Sequence, residues 1–295
     1  MAILLLGQDG QVARCVQARA ARLGESLVVA GREAVDLERP DIARPMLEKL
    51  SRDARAIINA AAYTAVDKAE EEPDRARALN AEAPAMIAAL AAERGIPFVH
   101  VSTDYVFDGS GDAPHLPDDP TCPLGVYGRT KRDGEDAVRS VGGVHVILRT
   151  SWVFSEHGSN FVRTMLRLGA ERDHLRVVDD QVGGPTAAAD IAAALLHIAS
   201  HLVQEPSASG TYHFAGSPDV SWAAFARDIM ARAGLPCAIE PIPSSDYPTP
   251  APRPLNSRLD CTSCHETFGI ARPDWRAGLG EVLASLRAIP GQRAV

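Results

Sequence analysis

The stretch Ala2-Ile3-Leu4-Leu5-Leu6-Gly7-Gln8-Asp9-Gly10-Gln11-Val12-Ala13 constrains the fold of this chain more than any other. Five apolar residues without polar alternation are the pattern of a strand buried on both faces, as in parallel sheets. Gly7-x-x-Gly10-x-x-Ala13 then leads into a helical pattern that runs to about Leu23. Glycines let the backbone approach a pyrophosphate closely, and the N-terminus of the following helix supplies N–H donors and a favourable dipole. Ala13 takes the third glycine's place and is still small enough for close helix–strand packing. Between a strand and a helix, this spacing predicts a dinucleotide site, with Gly7, Gly10, Gln11 and Val12 in the phosphate turn.

The pattern repeats downstream. Leu27 to Ala30 reads as a second strand that ends at Gly31-Arg32. At that strand end a carboxylate grips a ribose 2′-hydroxyl, or an arginine a 2′-phosphate. Arg32 favours NADPH, with NADH the alternative, and Asp36 and Leu37 lie close enough to line the adenine side. Ala56 to Ile58 is a third strand and runs into Asn59-Ala60-Ala61-Ala62, small residues against which a cofactor can lie. Residues 75–94 are Ala-rich and helical, with a kink or break expected at Pro84. Phe98 to Val101 and Val144 to Leu148 complete five strands. Strands alternating with helices predict an α/β chain with a doubly wound parallel sheet of the Rossmann type.

The fourth strand ends in Ser102-Thr103-Asp104, and ligands of open α/β sheets bind at the carboxyl ends of strands. Tyr127 and Lys131 are four residues apart, so on a helix they share a face one turn apart. A phenol titrates near pH ~10, and a neighbouring ammonium lowers that pKa. Such a pair suits delivery of a proton to a carbonyl oxygen. Tyr-x-x-x-Lys pairs also occur by chance on solvated helices; the Ser-Thr strand end and the glycine turn lift this one above that background.

After Arg149 the texture changes. A polar turn at residues 157–161, a helix to about Leu168, a short strand at Val177-Val178, and an Ala-rich helix from about Ala188 to Leu202 follow. Thr211 to Phe214 is strand-like, and Ser221 caps a helix that ends at Gly234. Residues 236–254 hold seven prolines, which predicts a wrapping loop without regular structure. The division expected is a cofactor-binding domain over residues 1–150, with elements returning from about 175–205. Residues 151–295 then form a smaller mixed α/β substrate domain.

Net charge is −8 with no run of five like charges, which argues against a nucleic-acid partner. No apolar run approaches the ~18 residues of a membrane span. Residues 2–6 are too short for a signal peptide, so the expectation is a cytoplasmic protein. Its five cysteines read as reduced thiols. Cys261-x-x-Cys264-His265 matches the haem-attachment spacing, but that chemistry belongs to exported proteins, and thiols near a helix start fit better. The nine histidines show no metal-ligand spacing.

Taken in order, several motifs resemble the dTDP-4-dehydrorhamnose reductases, a family of extended short-chain dehydrogenases/reductases. They are the glycine turn at 7–12, Asn59-Ala60-Ala61-Ala62-Tyr63-Thr64-Ala65-Val66-Asp67-Lys68-Ala69-Glu70, and Ser102-Thr103-Asp104-Tyr105-Val106-Phe107-Asp108-Gly109. Tyr127-Gly128-Arg129-Thr130-Lys131, Arg149-Thr150-Ser151-Trp152-Val153, residues 180–186 and Arg253-Pro254-Leu255-Asn256-Ser257-Arg258-Leu259 support them. The resemblance implies reduction of dTDP-4-dehydro-6-deoxy-L-mannose to dTDP-L-rhamnose with NADPH or NADH. It implies Thr103, Tyr127 and Lys131 as the catalytic set, with Lys131 holding the nicotinamide ribose and depressing the Tyr127 pKa. Ala62, Tyr63 and Thr64 then sit beside the cofactor, Asp104 and Trp152 touch the deoxysugar, and Asn256 and Arg258 lie near the nucleotide. Some members bind Mg2+ at a dimer interface through glutamates, one near the start of the first helix. Cys15 occupies that region here and no Glu precedes Glu25, so neither the metal nor that dimer is carried over. Monomer and homodimer stay open.

Two rivals share the fold. Nucleotide-sugar dehydratases that resemble this chain carry Asp-Glu after the Ser-Thr, whereas Asp104-Tyr105 lacks the second carboxylate and favours simple reduction. The regulatory subunit of methionine adenosyltransferase also resembles this family, and the intact Thr103, Tyr127, Lys131 set argues for catalysis instead.

Overall fold

The structure is a computed structural model that describes residues 1–288. Its first half runs β1 (Ala2–Leu6), α1 (Gln11–Leu23), β2 (Leu27–Ala30), α2 (Pro40–Leu50), β3 (Ala54–Asn59), α3 (Val66–Ala69), α4 (Pro73–Arg77), α5 (Ala83–Arg94), β4 (Phe98–Thr103), α6 (Val126–Val141) and β5 (His145–Thr150). The second half runs β6 (Val153–Phe154), α7 (Phe161–Glu171), β7 (His174–Val178), β8 (Val182–Gly183), β9 (Thr186–Ala187), α8 (Ala188–Gln204), β10 (Gly210–His213), β11 (Val220–Ser221), α9 (Trp222–Ala233), β12 (Ala238–Ile242), β13 (Asn256–Ser257), α10 (Thr262–Phe268) and α11 (Trp275–Ala288).

Alternation along each strand decides the layers. In β1, Ile3 and Leu5 face a core built with α1 and α8, while Leu4 and Leu6 face one built with α2 and α5. All four are fully buried, which explains the uninterrupted apolar run. The central sheet has the order β10-β5-β4-β3-β1-β2, and every pairing in it is parallel. This is the doubly wound architecture, and its strand order reverses between β1 and β3. The crevice at the carboxyl ends of those two strands is where such sheets take their ligands.

The chain returns to this sheet late. Helix α8 packs on α1 with Ile191, Leu195 and Ile198 in the shared core, and β10 joins β5 at the edge. Strand β7 instead pairs with β12 outside the central sheet. Around that pair, α7, α9 and α11 enclose a separate core that includes Phe154, Phe225 and Trp275. Ser221 caps α9 by accepting the Ala224 N–H, and Gly234 ends the helix at φ +71°.

Two local features differ from expectation. The proline-rich stretch is not wholly irregular: Ala238–Ile242 forms a strand, with Pro241 inside it. Pro is tolerated at a sheet edge, where no ladder bond needs its missing N–H. Near Pro84 the chain does not simply kink. A π-turn over Ala78–Glu82 precedes α5, and Pro84 occupies the first turn, where a missing N–H costs nothing. That turn aims buried Asn80 at the loop after β3. Asn80 accepts the Tyr63 N–H at 2.8 Å and donates to the Tyr63 carbonyl at 3.1 Å. Among the described residues, no helix is long and apolar enough to cross a membrane.

Candidate active site

A cleft of about 800 Å3 opens over the carboxyl ends of β1, β3, β4 and β5. That volume falls in the range of ligand sites, about 300–1,000 Å3. Gly7 makes its floor. It has φ +107°, and an added Cβ would come 3.3 Å from the Ala60 carbonyl carbon and the Ala61 nitrogen. Only glycine serves there without strain. Helix α1 starts after Gly10 with no side-chain cap and no acidic residue in its first turn, so its orphan N–H groups are free for phosphate. Gln11, Val12, Ala60, Ala61, Ala62, Tyr63 and Thr64 line the same cleft. The Gln11 side-chain oxygen also accepts from Ser155 and from Asn160, each at 2.8 Å. It thereby ties down the 155–160 loop, whose Gly158 and Ser159 form part of the wall. Those two residues had no signal in the sequence, because a long-range contact puts them there.

Arg32, Asp36 and Leu37 stand at the far end of the cleft, where the adenine side was expected. Arg32 is not a free cation. It is ion-paired with Glu38, which also pairs with Arg75 at 3.0 Å. One carboxylate thus already occupies both arginines.

The catalytic candidates converge from two elements. Thr103 ends β4, and Tyr127 and Lys131 lie on the first turns of α6. Contacts with two distant segments make this approach work. Glu70 accepts the Val126 N–H at 2.7 Å, capping the start of α6 from the 59–70 segment. Gly128 lets the helix touch the turn after β4, since a Cβ there would sit 2.1 Å from the Tyr105 carbonyl oxygen. Tyr127 therefore lies beside Thr103, with its ring edge-on to Tyr105 at 5.5 Å.

Burial pushes the Tyr127 phenol up to about 12, with the Thr103 hydroxyl pulling the other way and the Asp104 charge adding to the rise. The expected depression by Lys131 does not appear. Burial lowers Lys131 itself to about 8, against the opposing pull of Glu135. The lysine instead donates to the Val101 carbonyl at 2.7 Å and lies 3.2 Å from His100 Nε2. Tyr127 thus holds its proton firmly at neutral pH.

Asp104 sits next to this pair. Its Oδ1 accepts the Thr103 hydroxyl at 3.0 Å, and its Oδ2 is buried without a partner. Burial raises its pKa to about 6, the Ser257 and Thr103 hydroxyls pulling it back down. An unpartnered buried acceptor at a cleft wall suits a ligand hydroxyl. Trp152 follows β5 at φ +48°, an uncommon conformation for a bulky residue. Its indole stacks on Trp222 at 3.6 Å between centroids and 9° between planes. One face is therefore taken, and the residue lines the cleft beside Thr150 and Val153. Asn256 and Arg258 do not line it. Asn256 is buried, donates to the Ala113 carbonyl at 2.7 Å, and accepts from Arg258 at 3.0 Å. The pair braces the loop between β4 and α6.

Residues 1–288 match the family model described as the RmlD substrate binding domain. The chain is 44% identical over 283 residues to the dTDP-4-dehydrorhamnose reductase of Sinorhizobium fredii, covering 93% of this chain and 94% of that one. It belongs to the dTDP-4-dehydrorhamnose reductase family. Solved relatives agree in fold. A dTDP-4-dehydrorhamnose reductase from Clostridium acetobutylicum superposes with a TM-score of 0.89 at 33% identity, over 97% of this chain and all (100%) of that one. One from Bacillus anthracis, solved in complex with NADP, gives 0.87 at 29% identity with coverage of 97% and 100%.

As a family member, this chain departs from the magnesium pattern. The ligand atoms of Cys15, Glu156 and His157 lie within 4.8 Å of one another. Thiol and imidazole are soft or borderline donors, whereas Mg2+ requires oxygen ligands in an octahedron. Burial, with Glu156 and Asp190 adding, also raises the Cys15 thiol to about 12, so it stays protonated. The residues present do not fit Mg2+. Cys261 and Cys264 are buried as well, and burial keeps them as thiols at about 11 and about 12. Cys264 packs in the core with Phe268, out of reach of a haem edge.

Proposed function

We propose that this chain reduces the 4-keto group of dTDP-4-dehydro-6-deoxy-L-mannose to give dTDP-L-rhamnose for cell-surface polysaccharide, preferring NADPH and accepting NADH. The observation that carries the reading is the convergence of Thr103, Tyr127 and Lys131 on the cleft that the Gly7–Gly10 turn opens. When bound, the reduced nicotinamide supplies the hydride that arrives on C4. Tyr127 supplies the proton to the C4 oxygen, since its raised pKa keeps it protonated at neutral pH. Thr103 holds that oxygen by a hydrogen bond, and Lys131 binds the nicotinamide ribose. Asp104 accepts a sugar hydroxyl on its unpartnered oxygen, and the free face of Trp152 covers the apolar side of the deoxysugar. Residues 1–150 with α8 and β10 form the cofactor-binding part, and the remainder the substrate part. Five free cysteines support a cytoplasmic setting.

Tyr127→Phe tests this directly. It keeps the ring and removes the proton, so kcat falls by about 10² to 10⁴-fold while NADPH binding stays nearly intact. Retention of more than about a third of wild-type kcat removes Tyr127 as the acid. A panel of dTDP-4-keto-6-deoxy sugars, with product stereochemistry read by NMR, tests the sugar.

A further inference from the structure

Asn59 at the end of β3, His100 in β4 and Lys131 on α6 form a buried file of side chains. Asn59 Nδ2 lies 3.2 Å from His100 Nδ1, and His100 Nε2 lies 3.2 Å from Lys131 Nζ. The three residues are 1%, 0% and 2% exposed. The direction of every hydrogen bond in the file follows from one fixed donor. Asn59 Oδ1 accepts the Ala61 backbone N–H at 3.1 Å. A backbone N–H donates at any pH, so the Asn59 amide nitrogen faces His100. An amide nitrogen only donates, so His100 Nδ1 accepts and the neutral ring carries its proton on Nε2. Full burial, with the Lys131 charge adding, excludes the doubly protonated ring.

That Nε2–H points at Lys131. An ammonium has three donors and no acceptor, so a charged Lys131 would set two donors face to face without water between them. A neutral amine accepts the His100 N–H and still donates to the Val101 carbonyl at 2.7 Å. We infer that Asn59 and His100 are positioning residues: they lock the imidazole tautomer that stabilises the neutral amine of Lys131, making that lysine a reversible proton donor, not a permanent cation.

Among the surrounding charges, Glu135 pulls against this control and is itself held by other groups. Glu135, on the same helix, is engaged by Arg149 at 2.7 Å and by the Ser102 hydroxyl at 2.5 Å. Asp104 and Tyr105 belong to the turn after β4, where Thr103 engages the Asp104 carboxylate, and Tyr127 lies one helical turn back. Lys131, lowered to about 8, exchanges its proton near neutrality.

The proton account closes. Ketone reduction by NADPH consumes one proton, which Tyr127 gives to the substrate oxygen and solvent restores before the next turnover. Whenever Lys131 sheds its own proton to the cleft, the amine left behind accepts the waiting His100 N–H.

The inference rests on Lys131 binding the cofactor, and the test separates the two. NADPH affinity is titrated by fluorescence from pH 6 to 10 in the wild type, Lys131→Met, Asn59→Asp and His100→Gln. Wild-type affinity falls as Lys131 loses its charge, with a midpoint near about 8, and Lys131→Met is flat over that range. In Asn59→Asp the carboxylate accepts from both Ala61 and His100 Nδ1–H, so Nε2 becomes an acceptor and the midpoint rises by about one pH unit or more. His100→Gln adds no charge, can turn its amide oxygen to Lys131, and raises the midpoint likewise. A shift in Asn59→Asp alone reads only the added charge and overturns the inference, as do two unshifted variants. A pH-dependent fall that persists in Lys131→Met overturns the role of Lys131 itself.

Discussion

Asp104→Asn separates stability from function at this site. The carboxylate is 2% exposed, one of its oxygens has no partner, and burial raises its pKa from 3.8 to about 6. The folded protein therefore binds the proton more tightly than the unfolded chain. Between those two pKa values the unfolded state has fewer protons bound, so stability falls as pH rises. Each pKa unit corresponds to about 1.4 kcal/mol, so the full cost above pH ~7 is about 3 kcal/mol. At pH 5 the same relation gives about 1.5 kcal/mol. Asparagine has nearly the same shape and carries no charge, so it removes this dependence. The variant should therefore gain about 1.5 kcal/mol more over the wild type at pH 8 than at pH 5. Urea unfolding of both proteins at the two pH values measures that double difference, from which any constant effect of the substitution cancels. Equal differences at both pH values refute a carboxylate whose pKa burial has raised. In parallel, KM for the sugar should rise because an acceptor for its hydroxyl is lost, a stability gain matched by a functional loss.

At the adenine end, Glu38 holds Arg32 and Arg75, so Arg32→Ala should cost NADPH the lower end of a charge-assisted bond, about 1.5 kcal/mol or about tenfold in Kd, and leave NADH nearly unchanged. Glu38→Gln should do the reverse and tighten NADPH selectively; equal changes for both cofactors in fluorescence titrations would exclude a 2′-phosphate site. Trp152→Ala should mainly raise KM for the sugar, the mark of lost uniform binding. An unchanged KM with a large drop in Tm would make the Trp152–Trp222 stack purely structural.

The features legible in the chain itself are those governed by backbone geometry within a few residues. The unbroken apolar run of β1, Gly7 where φ is +107°, the Ser221 cap and the four-residue spacing of Tyr127 and Lys131 all belong to this class. Each follows from strand or helix period or from a steric demand on one residue, so pattern alone located it. Family motifs extended that reach to Thr103, Asp104 and Trp152, which the fold brings to one cleft. Asn256 and Arg258 belong to the same motifs, and what the structure adds is that they brace a loop, because a motif records that a residue matters without saying what it touches.

What tertiary structure alone decided is how each group is charged and partnered. Glu38 lies between Arg32 and Arg75 only because α4 packs against the turn after β2, and that pairing tempers the reading of Arg32 as a free phosphate clamp. The Tyr127 pKa rises where a lysine one turn away suggested a fall, because burial by several elements outweighs one neighbour. His100 and Asn59 read as ordinary strand residues until β3, β4 and α6 place them in line with Lys131. Desolvation and hydrogen-bond direction are properties of everything packed around a group, and most of those neighbours are dozens of residues away along the chain.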